Sequence, residues 1–402
     1  MTNQKIDRII EKCNTEEIKL CPFPTGILSI NLNKLESNII KIIKFVNRIG
    51  NKNNVKFLLP VKANAYGHGM IPVAKFIEYK KICTYFGVSH LKEALELREN
   101  GIKNSILIIG QSSCEYKFLK CIVQNEFEQE ISDEQLLYAL DAEAKEVNRM
   151  AKIHLSVDTG MGRCGILVRN IHNFVDKIKK CKNTQLVGVM THFPVADVNE
   201  EFAIKYTNKQ IEIFTKVKNM ITSKFSNDII FHASNSAGTV KYSSSIFDMI
   251  RPGIASYGYP GHDLGIPLDP VMEFKTKISL IKEYPKGHCI GYGCTYTTKK
   301  KDERIGILPI GYGDGLNRLL SNKLAVIVNG KKEKSIGAIS MDQLAISVGK
   351  NTQINDEVII IGRHGKNSFS AYNIASQIGS IPYEVLCNLG NAKRIRHEYI
   401  YI

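Results

Sequence analysis

A chain of 402 residues, 44% of them hydrophobic, can bury a large core, and at about 150 residues per domain it implies two or three domains, two being the simpler count. No stretch approaches the about 20 uninterrupted apolar residues of a membrane helix, and residues 1–19 mix charged and apolar positions without the apolar run of a secretory signal; the cytoplasm is the expected location and no membrane partner is expected. The net charge of +15 is spread along the whole chain, with only short runs at 299–301 and 331–334, so a solvated basic surface is expected rather than a nucleic-acid partner.

From about residue 55 to 260, short apolar runs rich in β-branched residues alternate with helix-like segments, the pattern of repeated βα units. Eight strands are predicted, at 56–61, 85–89, 105–109, 127–132, 152–158, 186–192, 229–233 and 250–257, with helices such as 90–100 and 134–150 between them. Eight such units close into a (β/α)₈ barrel, an α/β fold of the TIM type. After residue 270 the pattern changes to short alternating runs at 274–281, 304–310, 324–328, 335–339 and 357–361, which predicts a separate, mostly β domain. The expected boundaries are an N-terminal extension at 1–25, the barrel at 26–265 and the β domain at 266–402. Residues 26–32 also alternate like a strand, but they would be a ninth for the barrel and are assigned to the second domain's sheet. Ten cysteines sit singly, without C-x-x-C or other metal-ligand spacing, so reduced, mostly buried thiols and no metal site are expected.

In a barrel of this kind chemistry sits where strands end and loops begin. Those ends carry Lys62, Asp158-Thr-Gly-Met-Gly-Arg163, His192, Ser234-Asn-Ser236 and Arg251. A lysine at the inner end of a buried strand is costly to keep charged, because desolvation disfavours the ammonium, and a depressed pKa suits a Schiff-base lysine. A strand-end lysine reaching solvent would be the plainer reading at an anonymous position.

Here the whole decapeptide Pro60-Val-Lys-Ala-Asn-Ala-Tyr-Gly-His-Gly69 resembles the cofactor-lysine motif of the alanine racemases, and the resemblance continues in separated motifs over nearly all the chain beyond about residue 25. It implies that Lys62 holds pyridoxal 5'-phosphate (PLP) as a Schiff base and that Tyr66 reaches the phosphate, while His68 reads as structural. Ile290-Gly-Tyr-Gly-Cys-Thr-Tyr-Thr297 is similar to the family segment that carries the second proton carrier. Racemisation needs a base on each face of a planar carbanion. By the resemblance Lys62 and Tyr292 are those two bases, and Tyr292 comes from the partner subunit of a homodimer with shared active sites. Arg251, in Arg-Pro-Gly-Ile-Ala-Ser-Tyr-Gly258, would face the pyridine nitrogen; a guanidinium gives up no proton readily and so weakens the ring as an electron sink.

The same resemblance puts His192 beside the cofactor ring, His232 in support of it, and Asn235, Ser236, Gly253, Ile254 and Tyr383 around the phosphate. Arg163 and the backbone of Met341 would bind the substrate carboxylate, the latter from the other subunit, and Tyr312 would narrow the entrance. Two residues before Asp158 many members of the family carry a carbamylated lysine that fixes the active-site arginine. This chain has Ser156 there. The expectation is that Arg163 is held instead by an anion, a water or a nearby acid such as Asp158. The tail Gly390-Asn-Ala-Lys-Arg-Ile-Arg396 matches the family only loosely and suggests no roles. The implied activity is interconversion of L- and D-alanine, with D-alanine supplied for peptidoglycan; the rival readings are a broad-specificity or serine racemase of the same fold, and a PLP-binding carrier without turnover.

Overall fold

A computed structural model of the chain describes residues 25–50, 54–225, 228–261 and 265–401. The expected N-terminal extension, up to residue 24, lies outside the described residues. The chain divides into two compact units, one formed by Glu36–Ala63 and Ala74–Leu268, the other by residues 25–35, Asn64–Val73 and the chain from Asp269.

The first unit is the expected barrel. Its strands run parallel in sequence order: Lys56–Pro60, Tyr85–Val88, Ser105–Ile108, Glu128–Ile131, Ala151–Asp158, Thr184–Met190 and Ile230–His232, with Met249–Ile250 pairing back onto the first through Met249↔Lys56 and Ile250↔Phe57. The seventh and eighth strands share no ladder. The gap is bridged by Asp248 N–H donating to the Phe231 carbonyl and Arg251 N–H to the Ser234 carbonyl, each at 2.9 Å. The eighth strand is much shorter than the predicted 250–257, because Pro252 has no N–H for a ladder and the chain turns at once into the helix Gly253–Ser256. Helix faces follow the apolar spacing: Leu32–Gly50 buries Leu32, Leu35, Ile39, Ile42 and Val46, three or four residues apart.

The second unit is built on an antiparallel-rich sheet ordered Leu280–Tyr284, Glu303–Leu308, Leu344–Ser347, Lys331–Ile336, Ala325–Val328, Glu357–His364, Met272–Lys277, Gly26–Asn31 and Arg396–Ile400. Gly26–Asn31 therefore lies in this sheet, antiparallel to Met272–Lys277 and parallel to Arg396–Ile400. The predicted run at 274–281 is two strands. Ile278 N–H donates to the Asp356 carbonyl and Ser279 N–H to the Ile307 carbonyl, which hands the chain from the inner strand Met272–Lys277 to the edge strand Leu280–Tyr284. Two short helices, Ala371–Ile378 and Pro382–Gly390, complete the unit. The thiols correct one expectation: among the described residues only Cys83 and Cys181 are buried, while Cys289 and Cys294 are exposed on a hairpin whose short strands leave both faces open.

Candidate active site

The strand Lys56–Pro60 delivers Val61 and then Lys62 to the C-terminal end of the barrel. There the backbone turns left-handed: φ is 51° at Ala63, 55° at Asn64, 54° at Ala65 and 53° at Tyr66. Each such residue costs about 1–2 kcal/mol, so the turn persists only because its surroundings over-determine it. One restraint in the barrel unit is Glu93. Its carboxylate accepts from Ala63 N at 2.7 Å, Ser89 N at 2.8 Å and His90 N at 3.2 Å, tying the residue after Lys62 to the start of the helix Leu91–Glu99. Glu93 was not among the sequence-predicted residues; its signal is a glutamate three residues into a helix, which reads there as an ordinary capping box.

At the same end of the barrel, just past the strand Met249–Ile250, is a buried guanidinium. Arg251 donates from Nη1 to His232 Nδ1 at 2.8 Å, and from Nη2 to the carbonyls of Thr191 at 2.7 Å and Ala233 at 3.2 Å, with His192 Nδ1 at 3.4 Å. Burial lowers its pKa to about 10, opposed by the buried carboxylate of Glu130 and reinforced by Arg163, so it is a fixed cation at neutral pH. Burial together with the charges of Arg251, Arg163 and Lys62 brings His192 down to about 3, which makes its ring neutral. His192 thus records the convergence of three of the predicted groups on one place.

Beside them two short helices begin together. Asn235 caps Ser236–Lys241 by accepting from Gly238 N at 2.9 Å and donates to the Phe193 carbonyl at 3.1 Å; Ser236 Oγ accepts from Ala255 N at 3.1 Å. The amides of Gly253 and Ile254 open the neighbouring helix, where the first N–H groups have no intrahelical acceptor. The donor set suits a phosphorylated pyridine aldehyde: an amine for the carbonyl carbon, a guanidinium for a ring-nitrogen acceptor, and hydroxyl and amide donors for a phosphate.

Arg163 is exposed and, among the described residues, makes no ion pair. Asp158 does not serve it. That carboxylate accepts from Gly160 N at 2.9 Å and Gly162 N at 3.2 Å and shapes the loop instead. Ser156 is buried on the strand behind.

The remaining predicted residues lie in the second unit. Tyr66 is buried with its ring 5.8 Å from that of Tyr383, and burial keeps its phenol firmly protonated. His68 is buried, its Nδ1 between the Ala65 and Tyr66 carbonyls at 3.0 Å each, and burial lowers its pKa to about 4. Tyr292, Tyr312 and Met341 are 72%, 42% and 52% exposed. They share one edge of the unit: Tyr312 N donates to the Ser340 carbonyl and Gly313 N to the Met341 carbonyl, each at 3.0 Å, and a side chain at Gly337 would sit 2.6 Å from the Ile290 carbonyl just before Tyr292. Arg394, in the tail to which the sequence assigned no role, pins this edge through Asp314 at 3.0 Å, Asp342 at 2.5 Å and the Met341 carbonyl at 3.3 Å.

The match to known proteins covers both units. Residues 30–260 fit the model of the alanine racemase N-terminal domain and residues 271–399 that of the C-terminal domain. The alanine racemase of Halothermothrix orenii is 38% identical over 86% of this chain and 90% of its own, and that of Treponema denticola 37% identical over 92% and 97%. Among solved structures, alanine racemase of Clostridium difficile superposes with a TM-score of 0.81 at 32% identity, over 90% of this chain and 92% of that one, and the enzyme of Streptomyces lavendulae with a TM-score of 0.84 at 27% identity, over 94% and 97%. The chain belongs to the alanine racemase family.

Proposed function

We propose that the chain interconverts L- and D-alanine by a two-base mechanism, with Lys62 acting on one face of the substrate and Tyr292 of the partner subunit on the other. The family is PLP-dependent, and when bound PLP supplies a conjugated ring that takes up the electron pair left on the α-carbon. Lys62 would hold it through its ε-nitrogen, with Asn235, Ser236 and the amides of Gly253 and Ile254 around the phosphate, and Tyr66 and Tyr383 as further phosphate contacts. Arg251 presents only donors to the ring nitrogen. It cannot readily protonate that nitrogen, so the ring is a modest sink and the two bases must return the proton promptly. His192, neutral, would lie beside the ring; Arg163 and the Met341 amide of the partner subunit would bind the carboxylate, and Tyr312 would narrow the approach. The reading places the enzyme in the cytoplasm as a homodimer with shared sites.

The observation that carries it is the buried Arg251 guanidinium, held by His232, Thr191 and Ala233 with His192 beside it, at the end of the barrel where the strand before Lys62 also releases its loop. Circular-dichroism time courses on purified protein given L-alanine or L-serine test it. L-Alanine should lose its optical signal faster than L-serine, and Lys62→Ala and Tyr292→Phe should each lower the rate at least about 100-fold. Faster loss with L-serine would turn the reading to a serine racemase; full activity in Tyr292→Phe would refute the second base.

A further inference from the structure

Behind Arg251 a line of buried polar groups crosses the barrel interior. His232 Nε2 lies 2.8 Å from His154 Nδ1, and His154 Nε2 lies 2.6 Å from Glu128 Oε2. His154 and His232 are fully buried and Glu128 is 4% exposed. The three come from three strands, Glu128–Ile131, Ala151–Asp158 and Ile230–His232. The barrel makes room for them. A side chain at Gly188 would meet the His154 ring at 2.1 Å, and the strand pairing slips its register between Ile153 and His154. Glycine at 188 is thus required by the ring that passes beside it.

Proton counting along this line has one solution that satisfies every contact. A carboxylate only accepts, so His154 donates from Nε2 and, as a neutral ring, offers a lone pair at Nδ1. His232 must then donate from Nε2 and offer its own lone pair at Nδ1, where Arg251 Nη1 arrives as an obligatory donor. If His154 held a proton at Nδ1 instead, His232 would have to accept at Nε2 and carry its proton at Nδ1, donor against donor with Arg251. Burial and the charge of Arg251 act in the same sense on His232, keeping it well below the ordinary histidine range.

The geometry points to Glu128 as a positioning residue: its carboxylate fixes the tautomers of His154 and His232 and so holds the Arg251 guanidinium in the orientation it presents to the cofactor ring. Glu128 touches no reacting atom; it acts through two rings and an arginine. Burial, and after it the Glu128 charge, raise the pKa of the neighbouring Tyr85 phenol to about 12, so that phenol stays protonated beside the carboxylate. Outer residues that set a histidine's tautomer in metal sites are worth about 10-fold to 100-fold, and the same scale is expected for this line of groups.

The tautomer assignment stands on the barrel alone, while its effect on rate rests on the racemase reading above. Full-length protein carrying ¹⁵N-histidine, with His154 and His232 signals assigned by substitution, reports each ring's tautomer without turnover. Both rings should show N–H at Nε2 and a bare Nδ1. Glu128→Leu should shift His154, and with it His232, and lower kcat/KM for alanine about 10-fold or more with the cofactor still bound. Glu128→Gln, which keeps an acceptor oxygen, should restore both the tautomers and most of the rate. A wild-type ring protonated at Nδ1, a Leu variant with unchanged ring signals, or a Gln variant that behaves like the Leu one would overturn the proposal. Should Glu128→Leu fail to fold, the wild-type and Gln spectra still decide it. Absence of racemase activity with the expected tautomers would instead sink the functional reading and leave the assignment intact.

Discussion

At Gly67 two stretches of backbone meet with no room for a side chain. A Cβ there would lie 2.2 Å from the Leu386 carbonyl oxygen and one at Gly390 would lie 1.9 Å from the Gly67 oxygen, while φ at Gly67 is +81°. Two effects are superposed, a backbone conformation that L-residues resist and a collision, and Gly101 separates them. Its φ is +84° with nothing within 4 Å. Gly101→Ala should therefore cost only the conformational term, about 1–2 kcal/mol, whereas Gly67→Ala adds a clash with fixed backbone and should cost several times that. Urea denaturation of the two variants measures the difference; equal midpoints would show that the turn after Lys62 yields where the structure has it rigid. Lys62, Tyr66 and His68 sit in one contiguous motif and are readable because their meaning is local. Glu128, His154 and Gly188 belong together only because three strands 26 and more residues apart lie side by side, and no single segment carries that signal.

The elements were legible where period and chemistry agreed, as in the strand that ends at Lys62, and illegible where a neighbour decided. The run at 274–281 alternates without a break, yet it is cut in two because residues on either side of Ile278 pair with different partners. The strand at 250 ends early because Pro252 follows it. Polar residues inside a barrel strand, Glu128 and Glu130, left that strand's identity readable but hid its purpose, since a strand with charged inward positions reads first as an exposed edge. The helix Leu91–Glu99 has a comparable hidden duty. Through Glu93 it holds both its own N-terminus and the amide of Ala63, next to Lys62. Glu93→Ala should therefore do more than fray a helix. The loss of three accepted hydrogen bonds should lower stability by about 1–3 kcal/mol, and freeing the turn should raise the PLP concentration needed to restore activity. Titration of the cofactor-depleted variant measures the second effect. An unchanged PLP requirement beside lowered stability would confine Glu93 to capping.

Across the whole molecule the predicted groups fall into two sets that sort by unit. Lys62, Arg163, His192 and Arg251 belong to the barrel, while Tyr292, Tyr312 and Met341 stand on one exposed edge of the β-rich unit, steadied by Arg394. A side chain that is 72% exposed is a poor place for a base working within its own chain and a good place for a group offered to another subunit. The family is typically dimeric, and a two-fold dimer would pair each edge with the other chain's barrel twice over. This makes a prediction that activity of single variants cannot make. On the two-base reading Lys62→Ala and Tyr292→Phe protomers would each be inactive alone, but a mixed dimer would contain one site with both defects and one with neither. After dissociation and random reassociation half the dimers are mixed, so the mixture should recover about one quarter of wild-type activity. If both bases came from one chain, every site would keep a defect and mixing would restore nothing. Mass spectrometry of the intact dimers confirms exchange, so that an inactive mixture containing mixed dimers counts against shared sites and against Tyr292 as the partner's base.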